Sequence, residues 1–401
     1  MTYASVAGDA RSYRLTNIDM LRGLVIIIMA IDHVRDFFMT GGLQDPMAGA
    51  DIDPALYFTR WITHFCAPVF VFLAGTSAGL MAERKSKNEL GAFLFKRGVW
   101  LILVEVFIIS TAWTFAPFGT VETGGDTTVF LQVIWAIGAS MLVLAGCQYL
   151  GPKICLSLGI VILLGHNLLD GYGPENNMFS GTATFWTGLH TQGSLTEGPF
   201  QIVFVYPLLP WIGVMLLGFG TAFIFQKPPQ ARDAFLLKAG VMMIVAFVLI
   251  RASHLYGDMN PWEVHKSGLA ETFFDFMNVS KYPPSFLFLL ITLGPMAIVC
   301  AYADRATGWL KDMLVMFGRV PFAFYVAHLY LIHVLSIFLG MSQGYEASQF
   351  FKDFFFYPQG YGLGLGGVYL VWLLVIGMLY PLCKWVANIK TRRKDWWLSY
   401  L

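Results

Sequence analysis

The stretch Asp19-Met-Leu-Arg-Gly-Leu-Val-Ile-Ile-Ile-Met-Ala-Ile-Asp-His-Val-Arg-Asp-Phe-Phe38 opens as a membrane helix and then spells Asp-His-Val-Arg-Asp inside its apolar run. An ionisable side chain in a bilayer costs about 2.5–3.5 kcal/mol on insertion scales, so each one needs a partner or a task. Helical spacing offers partners. Asp32 and Arg35 are three apart, as are His33 and Asp36, and residues three apart share a helix face. From Arg22 to His33 the chain advances eleven residues. At about 100° and 1.5 Å each, these return to within about 20° of the same face and climb about 16 Å. One face of one helix therefore carries a guanidinium near its start, suited to a phosphate-bearing ligand, and a deep imidazole suited to taking a proton.

The rest of the chain extends this reading. Hydrophobic residues make up 57% of the 401 against 13% charged, the formal net charge is +1, and the mean hydropathy is +0.62. This is the composition of an all-α, polytopic membrane protein. Apolar runs of spanning length suggest ten helices, over 19–38, 58–81, 91–113, 127–148, 152–169, 200–225, 236–255, 283–303, 320–340 and 363–386. No basic run interleaved with aromatics is present, which excludes a nucleic-acid groove. Cys66, Cys147, Cys155, Cys300 and Cys383 have neither disulfide-framework nor zinc-finger spacing, and no metal site is expected. They read as small core residues, Cys66 included, because a base two residues away at His64 points to the far side of the helix.

The connecting segments sort by charge. One set holds Arg11 and Arg14; Arg84, Lys85, Lys87, Lys96 and Arg97; Lys153; Lys227, Arg232 and Lys238; Arg305, Lys311 and Arg319; then Lys390, Arg392, Arg393 and Lys394. The alternate set is nearly bare, with no Lys or Arg in 39–57, 114–126 or 170–199. The positive-inside rule then places both termini in the cytoplasm, with the first run retained as a helix rather than cleaved. Residues 1–401 read as one domain whose longest external loop, 170–199, is polar and aromatic. Further ionisable residues recur in the spans. Arg60 and His64 are four apart and Arg251 and His254 three apart, with Glu105 and His328 elsewhere. His64 is expected at the height of His33, in the outer half of the membrane.

Several segments carry a family resemblance. They are Arg14-Leu-Thr-Asn-Ile-Asp-Met-Leu-Arg-Gly23, Ala67-Pro-Val-Phe-Val-Phe-Leu-Ala-Gly-Thr-Ser77, Pro210-Trp-Ile-Gly-Val-Met215, Lys281-Tyr-Pro-Pro-Ser285, Phe317-Gly-Arg319 and Tyr325-Val-Ala-His328. Over nearly the whole chain the sequence resembles the heparan-alpha-glucosaminide N-acetyltransferase catalytic-domain family of bacterial membrane proteins. The arginine, ten residues, then histidine of Arg22 and His33 is also similar to the integral-membrane acyltransferase-3 group. The resemblance implies an acyl-CoA, such as acetyl-CoA, bound from the cytoplasm, with its acyl group passed to an acceptor, commonly a sugar, on the other side. It assigns Arg22 to the donor, His33 to general-base work and His328 as a second candidate, and Arg319 is expected to join Arg22 at the donor. Asp36 as the residue orienting His33 comes from helical spacing, and His64 joins the catalytic set. Asp32, Arg35, Arg60, Arg251, His254 and Lys281 are the expected acceptor contacts.

The chain departs from the lysosomal members, whose His-x-x-Trp-Asn-Gly segment has no counterpart in 39–63 and which carry Asp where His64 stands, so a glucosaminide acceptor does not follow. The expected surroundings are lipid and the bacterial inner membrane, with a homodimer left open. The same residues admit a second function, a proton-coupled transporter using His33, His64, Asp32 and Asp36 as a relay. No P-loop or Gly-rich nucleotide motif points to ATP-driven work.

Overall fold

A computed structural model of the chain describes residues 16–41, 53–120, 124–174, 176–178, 184–266, 268–393, 395 and 398. Arg11, Arg14 and Lys394 of the charge pattern lie outside them. The helices are α1 (Thr16–Phe38), α2 (Pro54–Thr63), α3 (Cys66–Ala82), α4 (Lys87–Val104), α5 (Ser110–Thr114), α6 (Val133–Cys147), α7 (Pro152–Gly165), α8 (Leu208–Thr221), α9 (Pro229–Ser253), α10 (Leu269–Met277), α11 (Phe286–Tyr302), α12 (Trp309–Arg319), α13 (Pro321–Ser342) and α14 (Leu365–Arg392). Each of the ten expected spans contains one. Among the described residues, eight helical stretches are long and apolar enough to cross a membrane, and the chain is an integral membrane protein. The other two expected spans are helical but more charged: α1, and α4 continued through a π-helical turn at Glu105–Ile109 into α5.

The all-α expectation needs one correction. The apolar runs 127–148 and 200–225 each begin as a strand, β1 (Thr127–Leu131) and β3 (Phe200–Phe204). With β2 (Gly193–Glu197) they form a three-stranded sheet in the order β1-β3-β2. β3 runs parallel to β1, with Val129 opposite Ile202, and antiparallel to β2, with Leu195 opposite Ile202. Thr-Thr-Val-Phe-Leu and Phe-Gln-Ile-Val-Phe are rich in β-branched and aromatic residues, and such apolar runs leave the strand-to-helix change invisible to hydropathy alone.

Helix α1 is the hub, packing against α2, α3, α11, α12, α13 and α14. Its closest neighbour is α12, because neither helix carries a side chain at the crossing. A Cβ on Gly23 would stand 1.8 Å from the Leu314 carbonyl oxygen, and one on Gly318 would stand 1.7 Å from that of Asp19. Small residues that let backbones touch are the usual cement of helices in lipid. Polar ties complete the seat of α1. Trp372 donates to the Ile27 carbonyl at 2.9 Å, and the Cys66 thiol donates to the Val25 carbonyl at 3.1 Å.

At the far end of α1, a strap between α13 and α14 folds back across the helix. Thr40 donates to the Leu363 carbonyl at 3.1 Å, and Leu363 to the Phe38 carbonyl at 2.7 Å. The turn holds Gly362 at φ 117°, where a Cβ would collide with the backbone of residues 38–40. We call the face where α1 begins proximal and the face where it ends distal.

Gly23→Ala is expected to force α1 from α12 and destabilise the protein by about 3 kcal/mol or more. Thermal unfolding in detergent measures this, with Gly377→Ala as the control. A Cβ at Gly377 in α14 meets nothing within 4 Å, and its midpoint should hold or rise.

Candidate active site

Asp32, in the last third of α1, organises the distal half. Its carboxylate takes a short contact from Arg60 of α2, stands 3.2 Å from Arg35 Nη2 and 3.7 Å from Lys281 Nζ. Arg35 Nη2 also donates to Asp36 Oδ1 at 2.7 Å. Three cations thus share two carboxylates, a network that meets the condition for keeping charge out of water. Asp32, His33, Arg35, Asp36, Arg60 and Lys281 all line one distal cavity of about 330 Å³. Its other walls come from the sheet and the residues just beyond its strands (Phe130, Gln132, Val133, Val205, Tyr206), from Gln192 and Tyr282, from Trp113 of α5, and from the strap.

His33 is held by a second histidine. Its Nδ1 lies 2.7 Å from Nε2 of His328 on α13. The rings are within 17° of coplanar with centroids 4.9 Å apart, as an in-plane N–H···N bond requires. His328 Nδ1 lies 3.1 Å from the Phe324 carbonyl oxygen. A carbonyl only accepts, so Nδ1 of His328 carries its proton, and in a neutral ring Nε2 is then the acceptor. His33 must donate from Nδ1, which leaves the lone pair on Nε2, on a ring that lines the cavity. The Asp36–His33 pair expected from helical spacing is not formed: Asp36 is bonded to Arg35 instead, and His328 orients the ring.

Other expected residues lie elsewhere. His64 caps the end of α2 and packs its ring on Phe288, centroids 5.4 Å apart, outside the residues that line the cavity. Arg251 donates to the carbonyls of Phe276, Asn260, Asp275 and Asn278 at 3.0, 2.5, 3.2 and 2.9 Å, fastening α10 and its flanking loops to the end of α9. His254 stacks on Trp262, 4.8 Å between centroids. Glu105 reaches across from the π-helical turn to accept from the backbone of Trp135 at 2.8 Å and Gln132 at 3.3 Å, capping α6, whose own first residues supply no side-chain cap. The buried His333, which helical spacing did not single out, ties α5 to the strap, its ring nitrogens 2.8 Å from the Ala112 carbonyl and 2.7 Å from that of Phe350.

The proximal half holds two more cavities in series. The inner one, about 330 Å³, is walled mainly by apolar side chains of α1, α3, α4, α6 and α13, with Arg22, Arg97, Ser77 and Tyr325 as its polar members. The outer one, about 490 Å³, is bordered by Asp19, Arg22, Ser77, Glu83, Arg84 and Lys85. Arg22 belongs to both, bonded to the Ser77 hydroxyl and 3.3 Å from Asp19. Arg97 lies over the Phe322 ring at 5.6 Å. Arg319 stands 4.0 Å from Asp19 and 40% exposed, beside these cavities and not in their walls. Met29, Phe70 and Val133 line both the inner and the distal cavity and form the partition between them. Among the described residues no group of three or more His, Cys, Asp or Glu could hold a metal ion.

Helix α1 thus carries Arg22 where the two proximal cavities meet and His33 on the wall of the distal one. The sequence profile described as heparan-alpha-glucosaminide N-acetyltransferase, catalytic, matches residues 14–254, and the chain belongs to that family. The match includes Arg22, His33 and the Asp32 network except Lys281; His328 and the likenesses at 281–285 and 317–328 lie beyond it. A search of curated proteins finds no match.

The strap adds Asp353, Phe354 and Phe355 to the distal cavity. Asp353 accepts from the Phe355 backbone at 2.9 Å, yet burial pushes its carboxyl up to about 7. The folded protein therefore holds this proton more tightly than the unfolded chain does. Its contribution is full below the ordinary carboxylate value and is lost as pH rises toward about 7. Asp353→Asn should remove that loss, stabilising the protein at pH 8 by roughly 2–4 kcal/mol and hardly at all at pH 4. Unfolding midpoints at the two pH values check this.

Proposed function

We propose that the protein is a membrane-embedded acyltransferase that passes an acetyl or similar acyl group from acyl-CoA on the cytoplasmic side to an acceptor on the other side. The observation that carries this reading is the series of three cavities along α1. Arg22 joins the outer to the inner, and a three-residue partition separates the inner from the one His33 lines. A CoA thioester has matching parts. Its phosphates suit the mouth with Arg22, Arg84 and Lys85, its pantetheine arm suits the mainly apolar inner cavity, and its thioester then reaches the partition. The Nε2 lone pair of His33 removes the proton of an acceptor hydroxyl or amine as the acceptor attacks the carbonyl carbon. CoA leaves as the thiolate and is reprotonated.

The distal cavity supports a carbohydrate or amino-sugar acceptor. Trp113, Tyr206 and Tyr282 offer flat apolar faces beside Gln132, Gln192 and the Asp32 network, a mixture suited to sugar rings and hydroxyls. In this reading the proximal face is cytoplasmic, the chain crosses a bacterial inner membrane ten times, and both termini lie inside, as the positive charge of the proximal segments favours.

Two variants test the reading. Arg22→Ala should weaken acetyl-CoA binding to purified, detergent-solubilised protein about 10-fold by calorimetry, the loss of a charge-assisted contact. His33→Ala should bind acetyl-CoA as before and lose transfer by about 10²–10⁴-fold. Folded protein that binds neither acetyl-CoA nor CoA would refute the proposal and shift attention to pH-dependent solute flux.

A further inference from the structure

Beside the His33 ring stands that of Tyr325. Tyr325, one turn before His328 on α13, is 3% exposed, and its Oη has no hydrogen-bond partner among the described residues. A buried polar atom left unpaired costs about 1–3 kcal/mol, so it calls for an explanation. Tyr325 lines the inner cavity, whereas His33 lines the distal one, and the two rings meet edge to face with centroids 6.2 Å apart. The pair therefore straddles the partition of Met29, Phe70 and Val133 from opposite sides. Another unpaired donor, Trp113 Nε1, is on a residue of the distal wall whose ring lies 5.1 Å from that of His33, where the acceptor would lie.

Resting on the acyltransferase reading, we propose that the Tyr325 hydroxyl is the oxyanion donor of the reaction. It donates to the thioester carbonyl oxygen and holds it as charge develops there. The acceptor proton passes to His33 Nε2 and the acceptor atom bonds to the carbonyl carbon. The carbonyl π pair moves onto the oxygen facing Tyr325, then returns as the C–S bond breaks and the CoA thiolate leaves. The thiolate takes the proton from His33, so both residues end as they began. A fixed donor in a water-excluded site needs no reorganisation when the charge appears, which is why such donors weigh heavily in acyl transfer.

The test uses the full-length protein in detergent, with acetyl-CoA as donor and either glucosamine or water as acceptor, reading free CoA thiol. Tyr325→Phe is expected to lower kcat by about 10²–10³-fold while acetyl-CoA affinity by calorimetry stays within about 3-fold. Protein carrying 3-fluorotyrosine at 325, which keeps the hydroxyl, is expected to retain turnover. Wild-type turnover with an unchanged kcat in Tyr325→Phe overturns the oxyanion role and leaves the acyltransferase reading standing. Wild type that releases no CoA from acetyl-CoA with either acceptor overturns both. Should Tyr325→Phe fail to fold, the fluorotyrosine protein decides: turnover retained with a shifted pH profile supports the role, and an unshifted profile removes it.

Discussion

Asp32 is the residue on which the distal half depends. Alone in an apolar helix its carboxylate would carry the full cost of a charge held out of water. With Arg35, Arg60 and Lys281 around it, it becomes the point where α1, α2 and the segment before α11 are held in one geometry. The arrangement works both ways, because removing Asp32 would take a counter-charge from all three cations, Arg35 alone keeping a second carboxylate in Asp36. This network gives the distal cavity its charged wall. It also fixes the last turns of α1, and so the height and facing of His33. The closeness of α1 to α12 at Gly23 and Gly318 does the same for the other end of the helix.

Much of this was legible in the sequence. Hydropathy marks a helix in every expected span, and the residues that cost most in lipid are the ones that gather: Asp32, His33, Arg35, Asp36, Arg60 and Lys281 meet in one cavity. The eleven-residue interval from Arg22 to His33 matches a path with cavities at both ends. What periodicity could not supply is information that lives between helices. Spacing paired His33 with Asp36, but an in-plane bond from another helix, at His328, outcompetes a neighbour on the same face. His64 stands at the end of α2, where its ring packs against Phe288 of α11. Arg251 and His254 read as ligands since both are expensive at a helix end, but the carbonyls of a loop absorb one and an indole face the other.

The sheet and the strap escaped for different reasons. β1 and β3 run without a break into apolar helices, so their strand character was hidden inside spans. The strap offers no period at all; its place is set by Gly362 against the end of α1 and by aromatic rings clustered around His333. Together these two irregular pieces wall the distal cavity. Helices α1 and α2 supply most of the charged groups, and non-helical segments add Lys281, Asp353 and much of the wall around them.

The partition has a consequence for the membrane itself. The distal and inner cavities meet at Met29, Phe70 and Val133, so only a few side chains part them, against about 30 Å of hydrocarbon in an undisturbed bilayer. Methionine and phenylalanine, flexible and flat, can yield to a small neutral group and close behind it while offering no ligand to a hydrated ion. The residues that the two cavities share are thus all apolar.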